Sequence, residues 1–210
     1  MSRDRVILAS SSPRRCELLN RAGLDFSIIP ARAAEEHFPG KPEKTVLYNS
    51  RLKVDEVAAG NPNALVIGAD TIVYHGGILG KPANLAEAAG MLRELAGKEH
   101  GVFSGISVRT ANGEMTAAAI SRVRFLDFDD SVIERYFQRV DPLDKAGAYA
   151  IQEHGDMLIA CIAGSYSNVI GLPLETLADI LDRLGEPNTE EIRRLARSLR
   201  PPGGIRHIPG

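Results

Sequence analysis

The chain is poor in cysteine, has no large excess of charge of either sign and contains no long hydrophobic run. Each shortage excludes something. Cys16 and Cys161 are the two cysteines in 210 residues. They stand far apart and in no Cys-x-x-Cys or Cys/His pattern, which argues against a structural zinc site and for a reducing compartment, with both thiols in or near the core. A formal net charge of −2 excludes a broad nucleic-acid surface, so any anion site must be local. No stretch approaches the roughly 18 apolar residues of a membrane span. The opening Met1-Ser2-Arg3-Asp4-Arg5 leads only into a short apolar strand, so a cytoplasmic protein away from membranes is expected. Motifs are missing too. No Gly-x-x-x-x-Gly-Lys-[Ser/Thr] loop, no Gly-x-Gly-x-x-Gly after the first strand and no Gly-x-Ser-x-Gly elbow is present, which disfavours P-loop, dinucleotide-binding and α/β-hydrolase chemistry. His37, His75, His100, His154 and His207 fall in no ligand spacing and read as surface or supporting groups.

What is present suits an α/β protein. With 44% hydrophobic residues the chain can bury a core, and its length suits one domain over residues 1–200 with a mobile tail at 201–210 that starts Pro-Pro-Gly-Gly. Strands are expected at 5–10, 26–30, 64–73, 102–110, 115–125 and 157–162. Helices are expected at 13–22, 45–59, 85–96, 131–139, 173–184 and 189–199. Asn84 and Glu87 form a capping box, and Asn112-Gly113 signals a hairpin. This alternation predicts a three-layer fold, a mixed twisted sheet flanked by helices, with the first and third strands at its centre.

The segment Val6 to Arg15 carries the clearest chemical signal. Ser12 suits an N-cap and Pro13 a first helical position, so Arg14 and Arg15 fall in the first turn, beside the positive end of the helix dipole. Either they are solvated surface charges, or an anion sits at that helix end. Asp70 interrupts the apolar run 64–73, and a carboxylate there is costly unless paired, metal-bound or at an open strand end. Lys81 lies between Gly80 and Pro82, which fix its backbone, whereas Lys53 on a helix and Lys145 are ordinary taken singly. With Glu35 and Glu36 in the loop 31–42, the chain holds the mixture of cations and carboxylates that a metal-bound triphosphate requires.

Five segments then carry a resemblance: Ala-Ser-Ser-Ser-Pro-Arg-Arg at 9–15, Gly-Ala-Asp-Thr-Ile-Val at 68–73, Gly-Lys-Pro at 80–82, Asp-Lys-Ala-Gly-Ala-Tyr-Ala-Ile-Gln at 144–152 and Gly-Ser-Tyr-Ser-Asn-Val-Ile-Gly-Leu-Pro at 164–173. In order and spacing the chain resembles the Maf family from residue 6 to about 184. The resemblance implies an inosine-triphosphatase-like fold and a nucleoside triphosphate pyrophosphatase. It implies Asp70 as catalytic carboxylate, with Ser10, Arg14, Arg15, Lys53 and Lys81 on the phosphates and Glu35 with Asp70 on a divalent cation, Mg²⁺ or Mn²⁺. Arg14, Thr71 and Gln152 correspond to the specificity positions, and Ala146 to Gln152 match the branch acting on dTTP and UTP. A homodimer is the family expectation. The chain departs from many members in having Arg32 and Ala34 before Glu35, with Glu36 as a substitute acid. Two other readings stay open: a nucleotide-binding regulator of septum formation with incidental turnover, and a pyrophosphatase for modified nucleotides such as 7-methyl-GTP.

Overall fold

Neighbouring residues of a strand point to opposite faces, and the layering follows from that alternation. The computed structural model describes residues 5–111, 113–187 and 189–208. In chain order the elements are β1 (Val6–Leu8), α1 (Pro13–Arg21), β2 (Phe26–Ile28), α2 (Pro42–Ala59), β3 (Leu65–Tyr74), β4 (Ile78–Leu79), α3 (Leu85–Leu95), β5 (Glu99–Thr110) and β6 (Gly113–Phe125). There follow α4 (Asp130–Phe137), β7 (Ile159–Ala163), α5 (Tyr166–Ile170), α6 (Leu174–Arg183), α7 (Thr189–Ser198) and β8 (Arg206–Ile208). Ile7 and Val66 face one side and pack with Val54, Val57 and Ala58 of α2, while Leu8 and Ile67 face the other and join the larger core with Leu18, Leu19 and Leu92. The sheet is therefore covered on both faces, as the near-continuous apolar run of β3 requires.

The strand order is β2-β1-β3-β5-β6-β7-β8, with β4 paired to β3. β1 is parallel to β2 and β3, whereas β3, β5, β6 and β7 run antiparallel in succession, so the sheet is mixed as expected. Two expectations need correction. The middle of the sheet is β5 rather than β1 and β3, because the C-terminal strands extend it on one side. The tail is not left loose either: Arg206–Ile208 pairs parallel with β7, whose open edge offers unpaired backbone groups, and Ile205 is buried. Residues 209–210, and Asn112 of the expected hairpin turn, lie outside the described residues; the two strands that it joins are antiparallel.

Local signals explain most helix starts. Asn84 caps α3 by accepting from the Glu87 N–H (2.9 Å), although the Glu87 carboxylate bonds the Ala83 N–H (2.7 Å) rather than that of Asn84. Ser12 is different. It occupies the N-cap position of α1, yet its side chain makes no capping bond to a described residue, and its own N–H donates to Ser10 Oγ (3.2 Å). Pro13 has no N–H, so the amides of the first turn lack the usual hydroxyl acceptor.

Helix α2 lies flush on the sheet at two glycines. A Cβ at Gly105 would run into the Val46 carbonyl group, and one at Gly68 would sit 2.8 Å from the Ser50 oxygen. The buried face of α2 is accordingly half polar, with Thr45, Asn49 and Ser50 beside Val46 and Val54. Ser50 Oγ lies 3.0 Å from Ser107 Oγ across this contact, which satisfies both hydroxyls.

Candidate active site

Strand β1 ends at Leu8, opposite Ile67, and β3 runs on beyond it to Tyr74. The overhang opens a cleft of about 530 Å³. Every site residue expected from sequence lines it: Ser10, Arg14, Arg15, Glu35, Lys53, Asp70, Thr71, Lys81 and Gln152. They arrive from both faces of β3.

On the α2 face, Asp70 is 4% exposed and fully engaged. Lys53 Nζ lies 2.7 Å from Asp70 Oδ1 and 2.7 Å from Glu35 Oε1, so one ammonium draws the two carboxylates together. Asn49 Nδ2 donates to Asp70 Oδ2 at 3.2 Å. The same amide clamps the Glu36 backbone, donating to its carbonyl (3.0 Å) and accepting from its N–H (2.9 Å), which fixes the loop that carries Glu35. Removing Lys53 would leave a buried carboxylate without its cation, a change costing about 3–5 kcal/mol. The Glu36 carboxylate, expected as a substitute for the acids that Arg32 and Ala34 replace, accepts from the Tyr48 hydroxyl (3.4 Å), and Glu36 is not among the residues lining the cleft.

The opposite face carries Thr71 and the two arginines. Arg15 is spent on the protein: its guanidinium donates to Gly171 O (2.9 Å), Ser10 Oγ (3.1 Å) and Thr71 Oγ1 (3.1 Å). Burial lowers its pKa and the nearby Asp70 works against that shift. Arg14 points the other way and meets Asp144 at 3.3 Å. Burial works to raise the Asp144 carboxyl, but the Lys145 hydrogen bond and charge, with Arg14, overcome it and hold the group below its ordinary range. Lys81 is exposed at the rim, and its neighbour Gly80 accepts from the Gly147 N–H (3.1 Å).

Gln152 ends an irregular segment whose backbone is held from beneath. Gly147 and Ala148 both have positive φ, 68° and 63°, and the alanine bears strain that glycine would not. Tyr136 Oη accepts from the Ala150 N–H (3.0 Å), and Tyr149 Oη shares a 2.8 Å bond with His100 Nε2. His100 is buried against Phe125, and burial drives its imidazole down to about 3. It is a core histidine, not a surface one.

Comparison with known proteins decides the family. A family model described as Maf-like protein matches residues 5–184. The dTTP/UTP pyrophosphatase of Dictyoglomus thermophilum is 43% identical over 185 residues, covering 86% of this chain and 96% of its own length. That of Pelotomaculum thermopropionicum is 44% identical over 185 residues, with the same shares. The chain belongs to the Maf family. A crystal structure of a nucleoside-triphosphatase / dITP/XTP pyrophosphatase from Mycobacterium abscessus aligns with 58% of this chain and 74% of its own at 15% identity and a TM-score of 0.35.

Within this Maf protein, four cleft contributors were not singled out by sequence reasoning. Asn49 and Asp144 lacked any local signal, Gly171 acts through its carbonyl, and Tyr149 sits in a segment chosen for Gln152. Lys145, ordinary taken singly in the sequence, is buried outside the cleft lining and bound to Asp141 O, Asp144 and Glu153.

Proposed function

We propose that this protein hydrolyses dTTP and UTP to the nucleoside monophosphate and pyrophosphate. The observation that carries the reading is the Glu35–Lys53–Asp70 arrangement facing Arg14 and Lys81 across one cleft. Its relatives' printed activity, dTTP/UTP pyrophosphatase, supports the same conclusion. A location in the cytoplasm and a single catalytic domain belong to this reading; no helix among the described residues is long and apolar enough to cross a membrane.

The donor set fits a divalent cation. Glu35 and Asp70 already converge on one positive charge, the Lys53 ammonium, and no group of three or more metal-binding side chains gathers among the described residues. Two carboxylates plus substrate phosphate oxygens are what Mg²⁺ usually accepts. When bound, such an ion supplies charge neutralisation and Lewis acidity at the phosphates. The remaining work falls to the protein. Asp70 accepts a proton from the water that attacks the α-phosphorus, and Lys53 and Asn49 hold its oxygens in place. Arg14 and Lys81 grip the phosphate chain and stabilise the charge that builds on the leaving pyrophosphate. Ser10 accepts from Arg15 and from the Ser12 N–H, which leaves its own hydroxyl hydrogen to donate into the cleft. Gln152 reads the uracil or thymine edge, donating to O4 and accepting from N3–H, a pattern that cytosine reverses.

Pyrophosphate release measured over dTTP, UTP, CTP and 7-methyl-GTP tests the reading. dTTP and UTP should lead, activity should stop in excess EDTA, and Mg²⁺ or Mn²⁺ should restore it. Faster turnover of CTP or 7-methyl-GTP would remove the substrate assignment, and binding without turnover of any nucleotide would favour the regulator.

A further inference from the structure

Lys145 is among the least expected buried groups in the molecule. It is 4% exposed although its two carboxylate partners, Asp144 and Glu153, are about half exposed. An ammonium with such partners could sit in water at little loss, whereas burying it demands that its hydrogen-bonding capacity be met. Nζ donates to Asp141 O (2.8 Å) and Asp144 Oδ1 (2.7 Å), and Glu153 Oε1 lies 3.3 Å away as an ion-pair partner.

The placement of those partners gives the group its meaning. Asp141 and Asp144 precede the segment that ends in Gln152, and Glu153 follows it directly, so one ammonium closes the segment at both ends. The other oxygen of Asp144 receives Arg14 (3.3 Å). A continuous chain of charges thus runs Glu153, Lys145, Asp144, Arg14, from the residue beside the base reader to a residue on the phosphates. We propose that Lys145 is a positioning residue for substrate choice, holding Gln152 and Arg14 at a fixed separation so that a nucleotide is read at its base and its phosphates together. The inference rests on the pyrophosphatase reading and deepens it. Errors of about an ångström in such placement are enough to change rates by large factors.

The test compares kcat and KM for UTP and CTP in the full-length wild type, Lys145→Met, Glu153→Gln, Gln152→Ala and the Lys145→Met/Gln152→Ala pair, with thermal melts to confirm folding. In Lys145→Met the UTP-over-CTP ratio of kcat/KM should fall by about five-fold or more, with KM for UTP rising more than kcat falls. Glu153→Gln, on an exposed side chain, should shift the ratio in the same direction by about two- to three-fold. In the Gln152→Ala background, Lys145→Met should change the ratio by less than about two-fold, because the group through which it acts is gone. An unchanged ratio in folded Lys145→Met overturns the inference, as does an undiminished effect in the Gln152→Ala background. If Lys145→Met does not fold, Glu153→Gln decides alone. A wild type that releases no pyrophosphate from UTP or dTTP sinks the pyrophosphatase reading itself, and this inference with it.

Discussion

Asp70 and Thr71 are neighbours in the chain and face opposite sides of the sheet, and almost everything about the cleft divides with them. On the Asp70 side a long helix lies flush on the strands, Lys53 and Asn49 meet the carboxylate with contacts of 2.7–3.2 Å, and Glu35 joins through Lys53 at 2.7 Å. On the Thr71 side the cleft is walled by an irregular segment with residues at positive φ, pinned by buried phenols, a buried histidine and a buried lysine. On the proposed function, the alternation of a single strand separates chemistry from substrate choice: a rigid packed surface would hold the reacting groups, and an irregular segment, open to variation, would hold the reader of the base.

The sharpest way to break the division is Asp70→Asn, which keeps shape and removes the base. Turnover should fall by roughly 10²–10⁴ while nucleotide binding and its preference for UTP and dTTP over CTP survive. Near-normal turnover would move the chemistry off this face. Gly105→Ala attacks the same face through packing: the added methyl meets backbone, not a side chain that could swing aside. A loss of about 3–5 kcal/mol is expected in urea unfolding, and a variant as stable as the wild type would show that α2 can move.

The other face should respond to pH. An unfolded imidazole titrates near 6.5, while burial holds His100 at about 3. Between those values the unfolded chain binds the extra proton. Its contribution is therefore complete above about pH 6.5 and declines as pH falls toward 3, at up to about 1.4 kcal/mol per pH unit. Urea melts of wild type and His100→Phe across this window should differ by that slope, and parallel curves would contradict the assignment. Gln152→Ala is the smallest of the four. It should narrow the preference for UTP over CTP by about 1–3 kcal/mol with kcat little changed, and a large loss of kcat at constant selectivity would merge the two faces into one machine.

Legibility in the sequence divides along the same line. Asp70 stands out because it interrupts an apolar run, and Arg14 and Arg15 because their charge is wrong for a helix start. The mixed sheet with helices on both sides was readable for the same kind of reason, from strands alternating with helical stripes. Lys53 was legible only through the family resemblance, and Asn49 was hidden, because the buried face of α2 is half polar and no apolar stripe marks which side turns inward. Gly105 was equally silent, since a close backbone approach leaves no trace in residue type beyond a glycine. The burial of Lys145 was silent because its three partners come from both sides of a segment that only the fold brings around. β8 escaped because Pro-Pro-Gly-Gly normally ends structure, and its partner strand lies some forty residues upstream.

The bond from Arg15 to the Gly171 carbonyl joins residues 156 positions apart, and it sets a schedule for the molecule. While the chain is being synthesised, the first arginines emerge early and wait. Their cleft cannot close until α5 has left the ribosome, so the newborn N-terminal half presents an unanchored guanidinium and an open sheet edge. Contacts of such long range slow the search for the native state. Activity in a growing chain should therefore switch on late and abruptly, and fragments ending before Gly171 should lack it altogether even where their strands have paired.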